Sequence, residues 1–277
     1  MPITIDDALG TPDFWVGVIE LIAASQTLNI DFFGVGALAR NIWYTEHNLP
    51  ARGTRDVDFG VCIPNQQTYL SLKSELLQHH GYIQSSENTF CLISPRGIPV
   101  DLLPFGEIEY EDSVIIDAKG LFYARFDGLK EVYLHGLQKV DLEGDIIYVC
   151  TITAVVLLKL IAFDDRPEHR AKDPFDVASI LEVYPNIEAD LIWEAYNFLY
   201  DQPLTHKEIG TMVMGCEMRK LVGSNTKLYK RVTDILQRGI AQRTRLAQRM
   251  IIDPSKDTIT ANVKKLQLLK AGFKLGV

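Results

Sequence analysis

A glycine corner followed by a paired-acid strand restricts the fold of this chain more tightly than any other feature. Between Ile30 and Val61 the sequence runs IDFFGVGALARNIWYTEHNLPARGTRDVDFGV. Ile30–Phe33 is apolar except for Asp31 and reads as a short strand. Gly34-Val35-Gly36 allows a tight backbone turn with little side chain above it. Ala37–His47 has no interior Pro or Gly and predicts a helix. Pro50 and Gly53 mark the return, and Asp56-Val57-Asp58-Phe59 follows. On an extended segment, residues i and i+2 share a face, so the two carboxylates project together while Val57 faces the core. Two such charges repel unless cations sit between them. A glycine turn that opens a helix also offers backbone N–H groups to phosphates. The stretch thus combines a phosphate cradle with a divalent-metal seat.

The rest of the chain changes class once. Asp13–Ser25 and Asn65–His80 predict helices, the second stopped by Gly81. Short extended runs then appear at Thr89–Ile93, Ile98–Leu103, Val114–Asp117, Glu131–Leu134 and Asp145–Cys150. Pro and Gly separate several of them, which predicts strands, mostly hairpin-connected, that continue the first sheet. From Thr151 the pattern is helical: Thr151–Asp165, Asp173–Tyr184, Ala189–Asp201, a segment around Gly210–Leu221, Thr226–Met250 and Ser255–Ala271. The expected fold class is α+β, with a mixed sheet and flanking helices over residues 1–150 and a helical domain over residues 151–277.

The 277 residues are 47% hydrophobic and 23% charged, enough for a core without staples. Cys62, Cys91, Cys150 and Cys216 stand far apart, which disfavours a structural zinc site or disulfide framework and suits a reducing cytoplasm. No signal-type N-terminus is expected. The most apolar stretch, Ile146–Phe163, carries Lys159 inside it and reads as a buried strand and helix rather than a membrane span. Net charge is −8, but residues 206–277 hold 15 Lys+Arg against 5 Asp+Glu. Arg231, Arg238 and Arg245 recur every seven residues, with Lys227 and Arg249 beyond either end, forming one basic stripe. That stripe is either an intramolecular complement to the acidic body or a surface for a polyanion such as RNA.

Asp101 lies in the apolar run Ile98-Pro-Val-Asp-Leu-Leu-Pro-Phe105, where a carboxylate is costly unless paired or coordinated. Beside the Asp56–Asp58 strand it would make a third acid. Three such groups can hold two Mg²⁺ about 3.5–4 Å apart, an arrangement for in-line transfer at phosphorus. Without those neighbours, Asp101 would be a structural acid at a strand end. Lys159, mid-helix among apolar residues, either snorkels outward or meets phosphates. Arg166, Arg170 and Lys172 could neutralise a triphosphate, and Asp173 could simply cap a helix.

The ordered set GVGALAR, RGTRDVDF, VDLLPFG, a helical lysine and a later KDxxD segment resembles the AbiEii/AbiGii-type nucleotidyltransferases. These belong to the polymerase-β-like nucleotidyltransferase superfamily and act as toxins of type IV toxin–antitoxin and phage-defence systems. The resemblance covers roughly residues 10–200. It implies Mg²⁺-dependent transfer of a nucleotide from an NTP, for some members onto the acceptor end of tRNA, and an antitoxin protein as a partner. By position it implies Asp56, Asp58 and Asp101 as metal ligands, with Lys159 and Asp176 joining them in catalysis. Gly34, Gly36, Ala37, Arg55, Lys159 and Lys172 would contact the nucleotide. The superfamily often has Gly-Ser or Gly-Gly at the turn; Gly36-Ala37 lacks that hydroxyl but keeps the backbone N–H contacts.

Two rival readings share the same residues. Gly34-x-Gly36-x-x-Ala39, with Asp56 twenty residues beyond Gly36, fits a dinucleotide-binding fingerprint and hence an oxidoreductase. That fingerprint requires further parallel βα units, whereas consecutive strands are expected here. The other rival is an inactive transferase fold serving as an interaction module for nucleic acid or protein, with the basic stripe as its surface.

Overall fold

The structure, a computed structural model, describes residues 12–111, 113–117, 121–142, 144–241 and 245–276. The chain divides into two units, Met1–Thr151 and Ile152–Val277.

The first unit is built on a seven-stranded mixed sheet. Helix α1 (Pro12–Leu28) leads into β1 (Phe32–Gly34), α2 (Gly36–Glu46) and β2 (Val57–Cys62). Helix α3 (Gln66–His79) follows, with Asn65 accepting a hydrogen bond from the Thr68 N–H as its N-cap. Next come β3 (Ile83–Gln84), β4 (Cys91–Ile93), β5 (Pro99–Phe105), β6 (Glu109–Tyr110), β7 (Ser113–Asp117) and β8 (Leu121–Ala124). Helix α4 (Leu129–His135), β9 (Leu137–Leu142) and β10 (Asp145–Cys150) complete the unit. The strand order is β3-β4-β5-β2-β1-β10-β9. β2 runs parallel to β5 and β1 parallel to β10; the other neighbours are antiparallel. Val57, Phe59 and Val61 of β2 and Val100 and Leu102 of β5 are buried, which fixes the register of the central pair. On the other side of β1, the Trp43 indole N–H donates to the Cys150 carbonyl and ties α2 to β10.

Several expectations are corrected. Glu131–Leu134 is helical, within α4, because Gly128 takes the left-handed conformation at φ 92° and the i, i+3 pair Leu129 and Val132 is buried on one side. β9 was not expected; it supplies the edge that pairs with β10 over six positions. The run Val114–Asp117 does not continue the first sheet. It is the middle strand of a separate three-stranded sheet, β6-β7-β8.

The second unit is helical: α5 (Ile152–Asp165), α6 (Asp173–Ile187), α7 (Ala189–Tyr196), a 3₁₀ turn at Asn197–Asp201, α8 (His206–Val222), α9 (Thr226–Ala241), α10 (Arg245–Arg249) and α11 (Ile259–Leu275). The expected single helix Thr226–Met250 is thus described as two pieces, and residues 242–244 lie outside the described residues. α8 begins earlier than expected because Thr205 and Glu208 form a capping box. α11 begins at Ile259, where the Thr258 hydroxyl accepts from the Ala261 N–H, rather than at Ser255. α8 and α11 approach closely enough that a Cβ on Gly272 would lie 1.8 Å from the Met212 carbonyl oxygen.

Candidate active site

The site grows from the corner between β1 and α2. Gly34 ends β1 opposite Phe59 of β2. Val35 stands at the N-cap of α2 in extended conformation and provides no side-chain cap. Gly36 follows at φ +60°, a region that L side chains rarely adopt. A Cβ there would lie 2.6 Å from Asp58 Oδ2. The corner is therefore bare for a stated reason: the Asp58 carboxylate occupies the place a side chain would take, beside the first turn of a helix. The Val35 N–H donates to the Asp58 carbonyl at 3.0 Å, which holds corner and strand together. Ala37, in that first turn, is half-buried.

β2 and β5 are parallel neighbours, and Asp58 is paired in register with Asp101. Directly paired residues on adjacent strands send their side chains to the same face, on strands about 4.8 Å apart. The two acids are thus side by side, both half-buried. On the far side of β5, Asp101 is paired with Cys91 of β4. Asp58, Asp101 and Cys91 form a row across three strands. Burial, then the charge of Asp101 and a hydrogen bond to it, push the Cys91 thiol up to about 12, so it stays protonated and can donate.

Asp56, just before β2, is exposed and accepts from the Thr54 hydroxyl at 2.9 Å. The loop carrying Thr54 and the exposed Arg55 is held from α2: Arg40 Nη2 and Asn41 Nδ2 both donate to the Arg52 carbonyl, at 3.3 and 2.9 Å. Arg40 is buried, with its guanidinium also on Asn41 Oδ1. Asp101 Oδ1 accepts from Asn88 Nδ2 at 3.2 Å. Among the described residues, no group of three or more His, Cys, Asp or Glu is gathered so as to hold a metal ion as placed. The donor set nevertheless fits a hard cation. Mg²⁺ is commonly bound by one or two carboxylates together with waters and substrate phosphates rather than by an all-protein cage.

Lys159, Lys172 and Asp176 belong to the helical unit. Lys159 Nζ lies 2.8 Å from both Asp173 Oδ1 and Asp176 Oδ2. All three side chains are largely buried. Burial opposes the ammonium charge, yet the two carboxylates outweigh it and hold Lys159 above the ordinary lysine range. Lys159 therefore does not snorkel outward; its ammonium is engaged at the N-terminal turn of α6, to which Asp173 and Asp176 belong. Lys172 is exposed at the N-cap position of that helix.

The basic stripe faces acids of its own unit. Arg231 bonds to Asp165, Arg238 reaches Asp164 at 2.5 Å, and Arg245 lies 4.0 Å from Glu168. Of the two readings the stripe allowed, these three residues follow the intramolecular one. Lys227 and Arg249 are exposed.

The oxidoreductase fingerprint fails on topology: β1 and β2 flank the glycine turn and its helix as antiparallel neighbours, not as the parallel pair of a dinucleotide-binding unit. Sequence reasoning missed Asn88 and Cys91. Their only local signal is the turn composition of Ser85-Ser-Glu-Asn88, which marks a hairpin but not what it faces.

No protein-family model matches the chain, and no curated protein matches it. Solved structures that overlap it include the antibiotic-resistance factor ANT(2'')-Ia, at 11% identity and a TM-score of 0.38, over 66% of this chain and 94% of that one. Another is an antigenic nucleotidyltransferase-like protein from Paracoccidioides brasiliensis, at 14% identity and a TM-score of 0.39, over 73% of this chain and 94% of that one.

Proposed function

We propose that the first unit is a metal-dependent nucleotidyltransferase that moves a nucleotide from an NTP to an acceptor hydroxyl. The observation that carries this reading is the in-register pair Asp58–Asp101, with the Asp58 carboxylate seated over the bare Gly36 corner at the start of α2. A carboxylate pair next to a helix N-terminus suits a cation-chelated triphosphate, whose phosphates favour the positive end of the helix.

In this reading Asp58 and Asp101 hold Mg²⁺, with Asp56 as the third acid; the ion would offset charge on the triphosphate and its leaving group. Of the Gly34–Ala37 corner, the first-turn backbone at Gly36 and Ala37 cradles the phosphates, the Val35 N–H being held by the Asp58 carbonyl, and Arg55 meets them from the loop. The acceptor oxygen bonds to the α-phosphorus while the bond from that phosphorus to the pyrophosphate oxygen breaks. Pyrophosphate departs with the electron pair. The acceptor hydroxyl's proton passes to a carboxylate oxygen of Asp101.

A tRNA-like acceptor, a toxin role and an antitoxin partner rest on the family resemblance, and none enters these steps. Within the basic stripe, Arg231 and Arg238 are paired with Asp165 and Asp164, while Arg245 lies 4.0 Å from Glu168 and Lys227 and Arg249 are exposed.

Incubating the protein with Mg²⁺, each α-labelled NTP in turn and total cellular RNA tests the proposal. Label is expected on an acceptor with at least one nucleotide, and NTP with Mg²⁺ should raise the melting temperature where NADH does not. No transfer with any of the four nucleotides to RNA or protein, and no NTP-dependent stabilisation, would contradict it.

A further inference from the structure

Asp101 is flanked on one side by Asp58 and on the other by the β3–β4 hairpin. That hairpin aims a neutral donor at it. Asn88 Nδ2 donates to Asp101 Oδ1 at 3.2 Å. Asn88 Oδ1 accepts from the Phe90 N–H at 3.0 Å, so the side-chain amide is held with its NH₂ toward the carboxylate.

The turn is itself braced. Ser85 Oγ accepts from the Glu87 and Asn88 N–H groups, each at 3.3 Å. The Asn88 carbonyl accepts from the Cys91 N–H and from Gln84 Nε2, both at 3.1 Å. From α3, Lys73 Nζ donates to the Thr89 carbonyl at 2.7 Å and pins the strand entry. Cys91 of the same hairpin is paired in register with Asp101, and its thiol donates to the Leu92 carbonyl at 3.6 Å.

The chemistry of the donor matters. A lysine or arginine at position 88 would form an ion pair with Asp101 and compete with any cation or proton the carboxylate must handle. An amide restricts the carboxylate's rotation and leaves its charge available. Asp101 needs both properties if it is to receive a proton in one geometry only.

We infer that Asn88 is a positioning residue for nucleotidyl transfer, orienting the Asp101 carboxylate toward the acceptor hydroxyl from outside the reacting atoms. This rests on the transferase reading above. Asn88→Asp separates the two bonds the side chain makes. It keeps the oxygen that accepts from Phe90, so the turn is retained, and replaces the donor to Asp101 with a like charge. Asn88→Ala removes both.

Full-length wild type and both variants are compared in label transfer from the NTP that wild type uses, alongside thermal melts. Expected is a fall in kcat of about tenfold to a hundredfold in each variant, the scale of a misplaced reacting group. KM for the NTP should be unchanged, and Asn88→Asp should melt within a few degrees of wild type. Wild-type kcat in Asn88→Asp would overturn the inference while leaving the transferase reading in place. Loss of a cooperative melt in Asn88→Ala would also overturn it, because Asn88 would then be holding the hairpin through Phe90 and not Asp101. Absence of transfer by wild type itself would remove the transferase reading and this inference together.

Discussion

At the residue scale, Gly36 and Asp58 must be understood together. The left-handed backbone at Gly36 and the carboxylate packed over it are two parts of one corner. Gly36→Ala would place a methyl group against Asp58 Oδ2 and strain the backbone. It is expected to cost about 1–3 kcal/mol in urea unfolding and to abolish nucleotide-dependent stabilisation. A variant that melts and binds like wild type would show the corner to be ordinary. The i, i+2 spacing of Asp56 and Asp58 marked the pair in the sequence, but only Asp58 lies on β2, with Asp56 just before it. The in-register meeting with Asp101 was legible only as a condition, since strand adjacency is set by the whole sheet. Asn88 and Cys91 were not legible at all: they reach Asp101 across a strand pairing that no local pattern encodes.

At the scale of elements, the helical unit offers two tests. Lys159 on α5 is held between Asp173 and Asp176 at the start of α6. Lys159→Met would keep most of the packing but leave two buried like charges uncompensated. A loss of about 3–5 kcal/mol in denaturant unfolding is expected, and an unchanged midpoint would contradict the buried pairing. Glu208, in the capping box of α8, is held down to about 2, first by Lys264 of α11 and then by the Thr205 N–H. A depressed carboxyl stabilises the fold fully above its unfolded value, about 4.3. That contribution fades as pH falls toward 2. Glu208→Gln should therefore melt below wild type at pH 6, with the gap closing in acid; a gap that stays constant with pH would count against it. Boundaries were less legible here than existence. In α4, Val132 and Tyr133 favour extended structure, while a left-handed Gly128 and the buried Leu129–Val132 pair impose a helix. β9 escaped notice because half of Leu137–Leu142 is polar and only its partner β10 makes it a strand.

At the scale of the whole molecule, the division of charge between chain segments was plain in the sequence, but its use was not. A +10 segment could meet RNA or acids of its own chain, and composition cannot choose. The choice depends on the end of α5, where Asp164 and Asp165 meet Arg238 and Arg231. Among the described residues, no helix is long and apolar enough to cross a membrane. The account as a whole depends on Asp58 and Asp101 acting as a single cation-binding pair beside the Gly36 corner. Mn²⁺ binding, followed by electron paramagnetic resonance with a non-hydrolysable NTP present, tests this most directly when wild type is compared with Asp58→Asn and Asp101→Asn. Each substitution should weaken Mn²⁺ binding by about tenfold or more while leaving the melting temperature equal or raised, because a like-charge neighbour has been relieved. Wild-type Mn²⁺ affinity in either variant would contradict the account.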